Sequence, residues 1–282
     1  MSFATSQPAA PIAQSSTISA FGHAAQAIEA LWWRDIVRFY RQRSRIVGAL
    51  ATPLLFWLLL GSGFSGSFRA GGAESSVGYA TFFYPGVMVM IVLFTAIFST
   101  ISVIEDRREG FLQAVLVAPI SRGAIVAGKI LGGSTLALGQ AAILLAAMPW
   151  LDIHPGASGV ALAVLVLTLI SFALTGLGFI IAWQLDSTQG FHAIMNLVLM
   201  PMWLLSGAFF PPQGASSWLR PLIVMNPLTY GVAALREALA PGAAGVDAPS
   251  FGFSLGVTFV FALATFLIAR ILANRPLDTR LA

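Results

Sequence analysis

Cysteine is absent from the chain, so disulfide bonds, thiolate catalysis and cysteine-ligated metals are excluded. Histidine is scarce as well: His23, His154 and His192 stand too far apart in the sequence to indicate a metal site. Charged residues make up only 9% of the 282 residues, whereas soluble domains contain about 25%. Such a chain has too few polar side chains to cover a soluble core. From its lack of cysteine and its scattered histidines, we also expect it to hold no metal or cofactor of its own.

Long apolar segments take the place of the missing charges. A helix of about 20 apolar residues spans the roughly 30 Å hydrocarbon core of a bilayer. Helices are also the only open-ended elements that satisfy the backbone polar groups in lipid. The sequence therefore predicts an all-α membrane protein with six transmembrane helices, over residues 46–64, about 85–104, about 125–150, 160–185, 193–210 and 251–272.

The residues before the first span divide into two parts. Residues 1–25 are rich in Ala, Ser, Gln and Thr and lack the basic start and apolar stretch of a signal peptide. We expect them to be a disordered leader, followed by a single transmembrane domain over residues 26–275 and a cytoplasmic tail over residues 276–282. In residues 27–45, apolar side chains recur at helical spacing with arginines on the other side. This pattern predicts an amphipathic helix lying in the membrane interface, and a simple membrane anchor is its alternative role.

The distribution of basic residues predicts the orientation. Six spans place both termini on one side, and that side holds twelve of the fifteen Lys and Arg residues. The other three are Arg69, Arg220 and Arg236. The positive-inside rule therefore predicts that both termini are cytoplasmic. Because the basic residues flank apolar segments and form no single basic face, we expect no binding of nucleic acid.

The link between the fifth and sixth spans has an unusual composition. Residues 210–239 contain two short apolar pieces, neither long enough to cross a bilayer, broken by four prolines. Such pieces are typical of re-entrant or interfacial half-helices packed against protein. The predicted topology places them on the external side, and an ordinary external loop is the alternative.

The densest group of charges lies between the second and third spans. It precedes residues 111–118, in which apolar residues would share one face of a short helix that a proline ends. We expect a docking surface for a cytosolic partner, in which apolar side chains give affinity and charges fix the register. A solvated loop that only sets topology is the alternative. The residues of this segment that we single out are Glu105, Asp106, Arg107, Arg108, Glu109, Gly110, Pro119 and Arg122.

No nucleotide site is expected in this chain. Residues 123–130 approach the phosphate-binding pattern G-x-x-x-x-G-K-[ST], but Ile130 stands where the hydroxyl residue is needed. We expect Lys129 to extend to the cytoplasmic interface, and Gly128 and Gly132 to form a pair of small residues for close helix packing.

No acidic residue lies at mid-depth of a predicted span, which weakens the case for an ion-coupled carrier. Energy for uphill transport should therefore come from another chain.

Two segments resemble bacterial type-2 ABC export permeases. Residues 105–133 are similar to the family's cytoplasmic loop, with an acidic–basic cluster, a glycine, an apolar turn, a proline, a basic residue and Gly-Lys. Residues 205–239 are similar to its external region. The residues of that region that we single out are Pro211, Trp218, Asn226, Pro227, Tyr230 and Arg236, together with Leu228 and Thr229 of the same motif.

The resemblance implies the transmembrane subunit of an exporter in a bacterial inner membrane. Its substrate would be a drug, a polysaccharide, a lipid-linked glycan or another amphipathic molecule. A second permease copy or a close relative would complete the path. Two cytosolic ATP-binding-cassette subunits, which would bind ATP and Mg, would dock on residues 105–122 and on the N-terminal helix. The chain itself would be no enzyme, it would contact membrane lipids, and the external half-helices would close the outer end. An ion-coupled secondary carrier or a channel is the alternative function.

Overall fold

The computed structural model describes residues 20–64, 78–118, 120–212, 215–242 and 249–275. All regular elements in these ranges are helical. A 3-10 turn at Met148–Leu151 follows the fifth α-helix, and a π-helical turn at Leu204–Ala208 follows the seventh. The α-helices of these ranges are α1 (Ala20–Arg41), α2 (Arg43–Gly63), α3 (Tyr79–Arg108), α4 (Phe111–Val117), α5 (Arg122–Ala147), α6 (Gly156–Gln184), α7 (Thr188–Trp203), α8 (Arg220–Met225), α9 (Pro227–Leu239) and α10 (Phe251–Asn274).

Six helices in the described ranges are long and apolar enough to cross a bilayer, which confirms the predicted all-α membrane fold with six spans. They extend beyond the predicted apolar segments at several ends. The second span, for example, ends at Arg108 and not near residue 104, because its charged end continues the helix and is buried against α1. The spans are Arg43–Gly63, Tyr79–Arg108, Arg122–Leu151, Gly156–Gln184, Thr188–Ala208 and Phe251–Asn274.

The N-terminal helix is longer than the sequence predicted. It begins at Ala20, so residues 20–25, which we expected in the disordered leader, are helical. Alanine has the highest helix propensity, and this segment continues the helix that follows without a proline. Residues 1–19 of the expected leader and the expected tail at 276–282 lie outside the described residues.

Helix α3 forms the centre of the bundle and contacts α2, α5, α6 and α7. It is buried along almost its whole length. Two of its neighbours approach it closely through glycines: a Cβ at Gly133 of α5 would lie 2.6 Å from Ser99 Oγ. A Cβ at Gly178 of α6 would lie 2.7 Å from Thr100 Oγ1. Because lipid tails are as apolar as the side chains, close packing through small residues holds such helices together.

The outer surfaces of α2 and α10 are apolar. Leu55 and Leu59 are exposed on α2, and Phe253, Phe259 and Val260 are exposed on α10. Apolar side chains on these faces suit contact with lipid tails. The core of the protein therefore lies on the opposite faces, around α3.

Candidate functional site

Helix α1 lies close against α5. Its buried face carries Leu31 and Asp35, four residues apart. A Cβ at Gly128 would lie 2.9 Å from Leu31 Cβ, and a Cβ at Gly132 would lie 3.2 Å from Asp35 Cβ. The predicted use of Gly128 and Gly132 for close helix packing is confirmed, and the helix that they admit is α1.

Lys129 lies between these two glycines and is buried between carboxylates. Its ammonium donates to Asp35 Oδ1 at 2.8 Å and also to Asp106. Its two carboxylate partners hold the side chain inside the protein, and its depth relative to the membrane interface stays a prediction. Burial raises the pKa of Asp35, and the neighbouring ammonium of Lys129 opposes that rise.

Asp106 is fully buried at the end of α3 and accepts hydrogen bonds from two arginines of α1. Arg34 Nη1 donates to Oδ2 at 2.9 Å, and Arg38 Nη1 donates to Oδ1 at 2.7 Å. With Lys129, three cations surround this one carboxylate. Buried charges are stable only when paired in this way, so Asp106 fixes α1 and α5 to the end of α3.

The ion pairs extend further along α3. Arg38 Nη2 lies 3.1 Å from Glu105 Oε2 and 2.7 Å from Glu109 Oε1, and Arg45 of α2 also donates to Glu105. Cations and carboxylates are equal in number, so the group is neutral overall and binds four helices together. We call it the ionic cluster: Arg34, Asp35, Arg38, Arg45, Glu105, Asp106, Glu109 and Lys129.

Arg107 binds the C-terminal end of α6. It donates to Trp183 O at 2.6 Å and to Leu185 O at 3.3 Å, and its Nη1 lies 3.1 Å from Asp186 Oδ1. The last carbonyls of a helix have no partner within the helix and carry a partial negative charge, so a cation stabilises them. Arg107 thus joins the end of α3 to the end of α6.

Arg122 binds a different helix end in the same manner. Its Nη1 donates to Ala273 O at 2.8 Å and to Arg275 O at 3.0 Å, at the C-terminal end of α10. We call residues 105–122 the coupling segment. Near its two ends, Arg107 and Arg122 connect it to the ends of two membrane spans.

Between these arginines, the predicted short helix is present as α4. Gly110 precedes it with φ of +75°, a left-handed conformation that suits glycine and turns the chain after α3. Arg34 lies over the Phe111 ring at 3.6 Å from its centre, which holds the start of α4 against α1. Val117 at the other end is 87% exposed. Pro119 lies outside the described residues.

Not every predicted docking residue is accessible. Asp106 is completely buried and Arg107 is 8% exposed, so neither side chain presents itself to a partner. Each is bound to other helices of this chain. Arg108 and Glu109 are exposed, and docking of a partner on the coupling segment stays a prediction.

The second predicted set of residues surrounds the irregular end of α7. There the π-helical turn and Gly207, with φ of +74°, interrupt the α-helical hydrogen bonds. Asn226 Nδ2 donates to Met202 O at 2.6 Å, and Arg236 Nη2 donates to Gly207 O at 2.9 Å. Carbonyls left unpaired by an interrupted helix are costly away from water. The side chains after the fifth span supply the missing donors.

Asn226 and Pro227 also begin α9. The Asn226 side chain accepts from Leu228 N at 3.0 Å as the N-cap, and Pro227 occupies the first helical position, where its missing N–H costs nothing. Tyr230 OH donates to Val224 O at 2.9 Å and so fastens α9 to α8.

Helices α8 and α9 are the two short pieces that the sequence predicted, and their depth in the membrane stays a prediction. Trp218 and Pro211 form none of the hydrogen bonds described for this region. Trp218 is 69% exposed before α8, and Pro211 lies half-buried in the link after the π-helical turn.

Five of the eight residues of the ionic cluster were not predicted as site residues: three on α1, together with Arg45 and Lys129. The missed residues on α1 are Arg34, Asp35 and Arg38. One signal existed: Asp35 stands four residues from both Leu31 and Phe39, on the apolar face of α1. An acid in that position implies a buried cation on the neighbouring helix.

The described part of the chain contains no group of His, Asp and Glu side chains suited to a metal ion.

Comparisons with known proteins identify the family of this chain. The chain matches the ABC-2 type transporter family over residues 26–240. It is 26% identical over 216 residues to the daunorubicin resistance ABC transporter permease protein DrrB1 of Streptomyces coeruleorubidus, covering 76% of this chain and 74% of that protein.

Two further relatives carry the likeness over similar lengths. Nodulation protein J of Rhizobium leguminosarum bv. viciae is 26% identical over 257 residues, which cover 88% of this chain and 94% of the relative. The transport permease ycf38 of Cyanophora paradoxa is 28% identical over 214 residues, 75% of this chain and 73% of the relative. Because the family match covers well over half of the sequence, the chain belongs to the ABC-2 type transporter family, as a multi-pass permease subunit.

Proposed function

We propose that the chain forms the transmembrane path of an ATP-driven exporter for an amphipathic or lipid-linked substrate. Two permease copies would form the path, and two separate ATP-binding-cassette subunits would bind ATP and Mg and supply the energy. Family membership supports the transporter subunit. A relative named as a daunorubicin resistance ABC transporter permease supports a role in moving a drug-like substance out of the cell.

The proposed location is a bacterial inner membrane with both termini in the cytoplasm. The excess of basic residues at one set of span ends supports this orientation. The ionic cluster and the coupling segment then lie on the cytoplasmic side, where ATP is available. The short helices α8 and α9 lie on the external side, where we propose that they close the outer end of the path.

The observation that carries the proposal is the pair of arginine bonds near the ends of the coupling segment. Arg107 binds the last carbonyls of α6, and Arg122 binds those of α10. A subunit that pushes on α4 would therefore move the ends of α6 and α10 together with α3 and α5. A small displacement at the membrane surface would in this way reach four of the six spans.

The accessible surface around α4 suits a protein partner. Val117 is 87% exposed at the end of α4, and Trp33 is 58% exposed on α1. A pocket of about 560 Å³ lies beside Trp33, and Arg34, Arg38 and Glu109 of the ionic cluster line it. Exposed apolar and aromatic anchors surrounded by charged side chains are typical of protein interfaces. We propose that the ATP-binding subunit docks here.

Reconstitution tests the function as a whole. The chain and the candidate ATP-binding subunit are co-purified and placed in lipid vesicles with a fluorescent amphipathic drug. We expect the two proteins to co-purify and the drug to move only with ATP. An ATP-binding subunit with its catalytic base removed is the control, and it should bind without transport. Flux driven by a proton or sodium gradient without ATP would contradict the proposal and favour the ion-coupled carrier.

A further inference from the structure

The pocket beside Trp33 extends along α1 to the bend between α1 and α2. Its lining continues through Arg38 and Arg41 to Gln42, the residue between the two helices. The Trp33 end adjoins the docking surface proposed above. The end at Arg41 lies about 12 Å further along α1, and we call it the elbow end. The volume of the pocket, about 560 Å³, is in the range of small-molecule sites, about 300–1,000 Å³.

The elbow end lies at the depth of lipid headgroups. The first span begins at Arg43, and its apolar run begins at Ile46. Gln42 precedes Ile46 by four residues, at most about 6 Å of helix. The headgroup layer on each side of the hydrocarbon core is about 5–7 Å thick. Tyr40, next to the elbow end, is 61% exposed, and tyrosine is enriched at this depth.

Two polar groups at the elbow end have no partner among the described residues. The side chain of Arg41 is exposed and makes no hydrogen bond or ion pair with them. The amide oxygen of Gln42 is enclosed and accepts no hydrogen bond from them. Arg34 and Arg38, which also line the pocket, are bound to Asp106. Arg41 is therefore the cation of the pocket that is available to a ligand.

An acidic group lines the same pocket. The side chain of Glu109 is 56% exposed, and its Oε1 accepts from Arg38 Nη2 at 2.7 Å. Arg38 stands four residues before Gln42, about one helical turn. The pocket thus combines an available cation, an exposed carboxylate and an unpaired acceptor. This set is complementary to a ligand that carries an anionic group and a cationic donor together.

We propose that the elbow end binds the phosphoethanolamine headgroup of a phospholipid in the cytoplasmic leaflet. Arg41 donates to the phosphate. The ammonium donates to Glu109 and to the amide oxygen of Gln42, which turns into the pocket when the headgroup binds. The depth of the elbow end and the exposed ring of Tyr40 favour a lipid over a soluble ligand. This site is additional to the transport path, and only the identity of the leaflet rests on the orientation proposed above.

Lipid titration of the full chain tests the site. Native mass spectrometry of the delipidated protein in detergent measures the affinity for phosphatidylethanolamine, phosphatidylglycerol and phosphatidylcholine with identical acyl chains. Phosphatidylcholine has no N–H donor, and phosphatidylglycerol has no cation for Glu109. We expect phosphatidylethanolamine to bind about tenfold more tightly than either, as the loss of one charge-assisted hydrogen bond corresponds to. Equal affinities for the three lipids would overturn the assignment.

Two variants test the two halves of the site. Arg41→Gln removes the phosphate contact and should weaken all three lipids about tenfold. Arg43→Gln is the matched control, because Arg43 is also exposed but does not line the pocket. Equal losses in these two variants would indicate unspecific attraction of charge and overturn the site. Gln42→Met removes the acceptor at similar size, and it should reduce only the preference for phosphatidylethanolamine. A preference that survives this change would overturn the ammonium contact.

Two competitors identify what occupies the elbow end. Glycerophosphoethanolamine carries the same headgroup without acyl chains, and we expect it to displace the lipid only at far higher concentration. Displacement at equal concentration would overturn the lipid and indicate a soluble ligand. The ATP-binding subunit should leave the lipid in place, because Trp33 lies at the other end of the pocket. Release of the lipid would assign the whole pocket to docking and overturn the site. The lipid affinities are independent of transport, so their failure leaves the proposed function standing.

Discussion

Lys129 of α5 donates to Asp35 of α1 at 2.8 Å, and both side chains are buried. This ion pair joins the N-terminal helix to the bundle at the point where two glycines bring the helix backbones together. The same ammonium binds Asp106. One residue therefore connects α1 with α3 and α5, the two spans that the coupling segment joins.

The first prediction concerns this pair. Lys129→Met leaves Asp35 without its main cation in a buried site, and we expect the free energy of unfolding to fall by about 3–5 kcal/mol. Thermal unfolding of the purified protein in detergent measures it. The double variant Lys129→Met with Asp35→Asn removes both charges and should recover part of the loss. If the double variant is as unstable as the sum of the single variants, the two residues do not act as a pair.

The second prediction concerns the close approach of α1 and α5. Gly128→Ala places a Cβ 2.9 Å from Leu31 Cβ and 3.1 Å from Ile28 O, so α1 must shift. We expect a loss of about 1–3 kcal/mol from overpacking. Gly139→Ala on the same helix is the control, because no atom lies within 4 Å of the added Cβ. It should gain up to about 1 kcal/mol from helix propensity. Equal melting temperatures for the two variants would contradict the packing argument.

The third prediction separates the two roles of Asn226. Asn226→Ala removes both the N-cap of α9 and the donor to Met202 O. We expect it to lose about 1 kcal/mol for the cap and about 1–3 kcal/mol for the unpaired carbonyl. Asn226→Ser keeps a capping oxygen but cannot replace the amide donor, so it should lose only the second contribution. Unfolding in a denaturant series compares them, and a Ser variant as stable as the unmodified protein would exclude a role for the Met202 bond.

The fourth prediction tests the docking surface on α4. Val117→Asp changes a side chain that is 87% exposed, so the fold should remain intact. We expect binding of the ATP-binding subunit to weaken about tenfold or more if Val117 is an interface anchor. Val117→Ile keeps the apolar contact and should bind normally. Binding is measured by pull-down titration with the chain in nanodiscs, and unchanged affinity of the Asp variant would remove Val117 from the interface.

The sequence predicted more of the local structure than of the tertiary contacts in the two loop regions. The short helix before Pro119 and the Asn-Pro start of α9 follow from local rules, apolar spacing and capping, that the sequence states directly. The carbonyl partners of Asn226 and Arg236 were not predictable, because the π-helical turn that frees those carbonyls leaves no mark in residues 204–208 beyond a glycine. The burial of Asp106 was missed for a related reason: its two arginine partners lie 72 and 68 residues away along the chain.

By itself, the sequence determined that this protein is a bundle of six membrane-spanning helices with a short charged helix between the second and third. The length of the apolar segments and the low content of charged residues decide those features. In lipid, a helix is stable because its backbone hydrogen bonds are formed within the helix itself. Tertiary structure decided which charges neutralise one another and which helix ends the two arginines hold. The pairing of Lys129 with Asp35, for example, depends on the approach of α1 to Gly128 and Gly132; the spacing of the two glycines predicts a close approach but not which helix makes it.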